Sequence, residues 1–127
     1  MKKEIINTDK APAAIGSYSQ AVKVDNTVYI SGQIPIDPNT KALVGDGFSE
    51  QAHRVFVNLI AVAEASGGTI NDAVKLTVYI TELANFPTLN EVMADYLQQP
   101  FPARATVEIS ALPLGALVEI DAILYLS

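Results

Sequence analysis

Apolar residues recur at steps of three and four from Phe48 to Ala63, at Phe48, Ala52, Val55, Phe56, Leu59, Ile60 and Ala63. That is the stripe of a helix burying one face. Gly67-Gly68 closes it, because glycine suits the left-handed backbone that ends a helix. Residues 73–81 alternate instead, with Val74, Leu76, Val78 and Ile80 against Lys75, Thr77 and Tyr79, the period of a half-buried strand. A second helical spacing, through Phe86, Leu89, Asn90, Met93 and Tyr96 or Leu97, predicts a helix over 83–97 with Pro87 confined to its first turn.

The remaining segments read as extended. Residues 4–6 suit a short strand, and 18–24 and 27–34 suit a hairpin turning at Asp25-Asn26. A Pro, Asn, Gly and Asp-rich loop covers 35–47, and strands over 103–109 and 116–126 are joined through Leu-Pro-Leu-Gly. The order βββαβαββ predicts an α+β sandwich, a mainly antiparallel sheet with two helices on one face. No repeat, low-complexity tract or linker divides residues 1–127, so one domain is expected. The helices cover one face of the sheet, and a symmetric oligomer is the simplest cover for the other.

Composition narrows the function classes. Half of the 127 residues are apolar and only 17% are charged, which is lean for a small monomer and points to apolar surface spent in subunit contacts. The net charge of −6, with eight scattered Lys and Arg, argues against a nucleic-acid partner. The absence of cysteine and a single histidine leave no disulfide, thiolate or histidine-cluster metal site, so metal-free chemistry is the expectation. The charged N-terminus lacks a signal-peptide core, and no apolar run approaches the ~20 residues of a membrane span. A cytoplasmic protein, with no membrane partner, is the expectation.

Two ionised groups stand on otherwise apolar strands. Arg104 lies in Phe-Pro-Ala-Arg-Ala-Thr and Glu119 in Leu-Val-Glu-Ile-Asp; such groups carry a desolvation cost unless paired or useful. If the last two strands pair as a hairpin, strand parity puts Arg104, Glu119 and Asp121 together on the face away from the helices. Two readings follow: a salt bridge within a subunit interface, or an arginine clamp for a small carboxylate beside a proton-transferring Glu119 made more basic by Asp121 and partial burial. Parity does not separate them. Glycine at 32 permits close approach of a ligand to the backbone, Tyr18 offers a hydroxyl and an apolar ring, and Asn90 falls among buried positions of the second helix.

Five ordered motifs carry a resemblance. Ala-Pro-Ala-Ala-Ile-Gly-Ser-Tyr-Ser-Gln-Ala (11–21), Ile-Ser-Gly-Gln-Ile-Pro (30–35), Phe-x-x-x-Asn (86–90), Pro-Ala-Arg (102–104) and Leu-Pro-x-x-x-x-Val-Glu-Ile-Asp-Ala (112–122) resemble the Rid (YjgF-like) family of reactive intermediate deaminases, RidA subgroup. The resemblance implies a chorismate-mutase-like (ferredoxin-like) fold and a homotrimeric barrel with a site in each cleft between subunits. It implies hydrolysis of 2-imino or 2-enamino acids, such as 2-aminoacrylate and 2-iminobutanoate, to 2-oxo acids and ammonia. On this likeness Arg104 clamps the substrate carboxylate and Glu119 activates water. Tyr18, Ser31, Gly32, Asn90 and the Thr106 backbone complete the pocket, without cofactor or metal.

Two departures stand out. Thr106 replaces the family's common cysteine, which removes thiol chemistry; the 98–101 segment is shorter than usual and Met93 stands where an aromatic is frequent, both of which bear on pocket size and substrate range. The alternative from another class is a non-catalytic trimer that binds 2-oxo acids as a sensor or regulator, since the same clamp binds product.

Overall fold

The computed structural model describes residues 2–127. Its strands are β1 (Lys3–Ile6), β2 (Ala21–Val24), β3 (Thr27–Gln33), β4 (Ile36–Asp37), β5 (Ala42–Leu43), β6 (Ala73–Ile80), β7 (Ala103–Glu108) and β8 (Val118–Tyr125), and its helices are α1 (Phe48–Ala65) and α2 (Phe86–Tyr96). Six strands form one sheet in the order β1-β2-β3-β8-β6-β7, and β4 pairs with β5 in a separate ribbon. The ribbon occupies the segment expected to be loop, and the rest follows the expected βββαβαββ order.

Local chemistry accounts for the elements. The α1 stripe buries Ala52, Val55, Phe56, Leu59, Val62 and Ala63 against the sheet. The helix ends as its glycines require: Gly67 has φ +94°, its N–H donates to Glu64 O, and Gly68 N–H donates to Ala63 O, the paired bonds of a Schellman turn. Pro87 sits in the first turn of α2, where its missing N–H leaves no gap in the helix. Asp25, at φ +52°, turns the β2–β3 hairpin. The buried Asn58 side chain donates to Ile34 O and Ile36 O, tying the ribbon to α1.

Three expectations are corrected. β7 and β8 are not a hairpin: β6 lies between them, antiparallel to β8 and parallel to β7. The cause is the β6-α2-β7 unit, because a strand returning through a crossover helix lies parallel to its predecessor. Register then decides the faces. Leu76 pairs with Ala122 on one side and Arg104 on the other, so Arg104 lies on the helix-covered face, while Glu119 and Asp121 pair with Tyr79 and Thr77 on the open face. Second, a register shift between Ala73 and Lys75 gives Ala73 the core position and leaves Val74 exposed. Third, Asn90 is exposed and not a buried amide.

Candidate active site

The Arg104 side of the molecule is built by α2. Phe86, Asn90 and Met93 stand four and three residues apart, so they share one helix face, and that face lies over edge strand β7. Arg104 Nη1 donates to Asn90 Oδ1 at 2.7 Å and lies 3.4 Å from Met93 Sδ, and its guanidinium carbon sits 5.0 Å from the centre of the Phe86 ring. None of these three neighbours is an anion. One edge of the guanidinium is fixed and its charge is left unneutralised by them, facing a cavity of about 480 Å³ whose walls include Leu97, Phe101 and Pro102. Such a fork suits a carboxylate in two-point geometry.

The Glu119 side is built by a break in β3. Ile30 pairs with Ala122 and Gln33 with Ile120, so one extra residue is accommodated at Ser31-Gly32, a bulge of the kind that re-aims a strand near functional sites. Ser31 is anchored inward, its N–H donating to Gln20 O at 2.9 Å and its hydroxyl to Ser19 O at 2.6 Å. Gly32 lies over Glu119: a Cβ there would come within 2.8 Å of the carboxyl carbon. Buried Gln20 bonds Thr8, Ala11 and Pro12, which pins the loop leading to Tyr18. Tyr18, Ser31, Gly32 and Glu119 line one cavity of about 590 Å³.

Burial raises the Glu119 pKa above its ordinary value, and the neighbouring Asp121 raises it further. Asp121 is itself held, accepting a hydrogen bond from Tyr79 Oη at 3.2 Å. Burial comes first, and Asp121 second, among the causes that push the Tyr79 phenol upward. A carboxylate so placed holds a proton more readily than one in water and takes one from a bound water more effectively.

The expected site residues therefore fall into two groups. Tyr18, Ser31, Gly32 and Glu119 are together; Arg104 and Asn90 are together in the other cavity; one chain does not join them. Thr106 lies on the Arg104 face opposite Val78, its hydroxyl oxygen buried without a hydrogen-bond partner. An intrachain Arg104–Glu119 or Arg104–Asp121 bridge is ruled out by the opposite faces. Phe86, which seats the guanidinium, stands outside the residues expected at the site, although its spacing from Asn90 carried the signal. Tyr79 also stands outside them, although its parity with Thr77 marked its face.

Comparison with known proteins bears on what such a pair of half-sites serves. The family described as endoribonuclease L-PSP matches residues 8–126, nearly the whole chain. The chain belongs to this family, the YjgF/Rid proteins. Among Rid relatives, the 2-iminobutanoate/2-iminopropanoate deaminase of Dermatophagoides farinae is 47% identical, covering 95% of this chain and 94% of that one. The crystal structure of RidA from an Antarctic Psychrobacter superposes with a TM-score of 0.94 at 56% identity, covering 97% of this chain and 99% of that one. A Rid structure with an amino acid present, Escherichia coli TdcF with bound serine, gives 0.92 at 37% identity over 98% and 99% of the two chains. The Rid fold, two helices on a mostly antiparallel mixed sheet, is the one described above.

Proposed function

We propose that this protein hydrolyses 2-imino and 2-enamino acids to 2-oxo acids and ammonia, in clefts between the subunits of a homotrimer. The observation that carries the reading is the division of the chemistry: a guanidinium without an anionic neighbour in one cavity, and a carboxylate of raised pKa in another, on opposite faces of one sheet. A second copy is needed to bring Arg104 of one chain to Glu119 of the next, and the deaminase name of close relatives gives the reaction. A 2-oxo acid sensor needs the clamp but has no use for a proton-accepting Glu119.

Arg104 binds the substrate carboxylate. Water, hydrogen-bonded to Glu119, adds to the carbon of the N-protonated imine; its oxygen forms the new C–O bond as the C=N π pair moves to nitrogen, giving a neutral amine, and Glu119 takes the water's proton. Glu119 returns that proton to the amine, the C–N bond breaks, ammonia leaves, and loss of the hydroxyl proton to the medium or the departing ammonia completes the C=O of the 2-oxo acid. An enamine enters after a proton from the medium adds to its β-carbon, which gives the N-protonated imine.

The test is ammonia release from 2-iminobutanoate generated in situ. Arg104→Ala is expected to abolish it with the circular dichroism spectrum unchanged, since the side chain is exposed, and Lys is expected to restore little because an ammonium lacks the planar fork. Glu119→Gln is expected to lower the rate by roughly 10²-fold while 2-oxobutanoate still binds. Co-refolding equal amounts of the two variants is expected to regain about a quarter of wild-type activity, as random cyclic assembly restores both groups in about one cleft in four. No recovery would place both residues' roles within one chain and sink the shared cleft.

A further inference from the structure

On one chain the Glu119 cavity, about 590 Å³, extends past the carboxylate along an apolar wall, and the imino acids named for the relatives carry side chains of only one or two carbons. Glu119 is the one charged residue in its lining, and the walls beyond it include Ile15, Ile34, Ile36 and Leu114. The amides in the lining are already occupied: Gln20 holds the 8–12 loop, and Gln33 Nε2 donates to Ser31 O at 3.1 Å. Beyond Tyr18 and Glu119 a polar side chain entering here would meet mostly apolar wall, losing water for few partners.

Leu114 adds a second observation. It holds a left-handed backbone, φ +59°, and is 68% exposed at the cavity wall. A bulky residue in that conformation is uncommon and is held there by the turn around it. Ile15, 84% exposed, lines the same cavity. Two large apolar side chains are thus held out of the core beside the group that faces the reacting carbon.

We infer that Leu114 and Ile15 close an apolar side-chain subsite, and that the chain favours 2-imino acids whose side chain is apolar and longer than ethyl. The inference rests on the deaminase reading for the placement of the imine carbon beside Glu119. Each methylene buried in such a subsite improves affinity by about fourfold.

Two series of measurements test it on the wild-type protein. Calorimetric titration with pyruvate, 2-oxobutanoate, 2-oxopentanoate and 2-oxohexanoate is expected to show Kd falling by about fourfold per methylene, with 2-oxoglutarate weaker than 2-oxobutanoate. The matching imines, generated by an amino-acid oxidase, are expected to show kcat/KM rising in parallel. Leu114→Asn, which tolerates the left-handed backbone, is expected to weaken 2-oxohexanoate by about tenfold and to flatten the series; Ile15→Ser, on an exposed loop, is expected to flatten it without threatening the fold. A flat or falling wild-type series, or variants that weaken every member equally, would overturn the subsite. Tightening with chain length but no imine hydrolysis would leave the subsite and overturn the deaminase, and rapid hydrolysis of short imines with a flat series would do the reverse.

Discussion

Glu119 and Asp121 sit two residues apart on one strand face, and Asp121 accepts a hydrogen bond from Tyr79. Because burial and Asp121 both raise the Glu119 pKa, the acidic limb of the kcat/KM profile should fall at a pH above the ordinary glutamate value of about 4.3. Asp121→Asn should move that limb downward, since one of the two causes is removed; an unmoved limb would assign it to another group. The same shift has a stability sign. A raised folded-state pKa stabilises the protein fully below the unfolded value, and that contribution is lost as pH rises through the folded value. Glu119→Gln should therefore melt higher than wild type near pH 7–8, with the gap closing as pH falls through the folded value and closed below about 4.3.

At the scale of elements, the β3 bulge and α2 are the two devices that build the half-sites. The bulge brings Gly32 against the Glu119 carboxylate, leaving no room for a Cβ. Gly32→Ala is thus expected to displace Glu119 and lower kcat by about tenfold or more, while thermal stability changes little, because the residue is exposed and its backbone is open to alanine. A large loss of melting temperature with unchanged kcat would make the bulge a packing feature. Helix α2 seats the arginine. Its face of Phe86, Asn90 and Met93 holds a long, flexible side chain in place, which on the proposed function lowers the ordering cost of binding substrate.

On the scale of the whole molecule, both helices lie on one face of the sheet, and the other carries Ile5, Tyr29, Val107 and Tyr125, each between 42% and 55% exposed. These residues share that face with Tyr79 and Glu119 through the strand register. An apolar sheet face of this kind marks an interaction surface, and the proposed trimer covers it. Native mass measurement at micromolar concentration should give three chains. Ile123→Asp, at the centre of that face between Tyr29 and Lys75, should yield monomers without deaminase activity; an active monomer would remove the subunit cleft from the mechanism. Among the described residues no helix is long and apolar enough to cross a membrane.

The sequence by itself determined the elements and the faces within each one. The α1 stripe, the Gly67-Gly68 stop and the alternation in β6 are local properties, set by the 3.6 and 2.0 residue periods of the backbone, and the structure repeats them except where the shift at Val74 interrupts the alternation. Motif spacing named Tyr18, Ser31, Gly32 and Glu119, which line one cavity, and Asn90 and Arg104, which line the other, whereas Thr106 lines neither. Only the tertiary structure decided strand order. Parity says which residues of a strand share a side, but not which side of the sheet that is, and the insertion of β6 between β7 and β8 sent Arg104 to the helix face and left Glu119 on the open one. The physical reason is the α2 crossover, which makes β7 the parallel neighbour of β6, so the two charged groups of one chain end on opposite sides of its sheet.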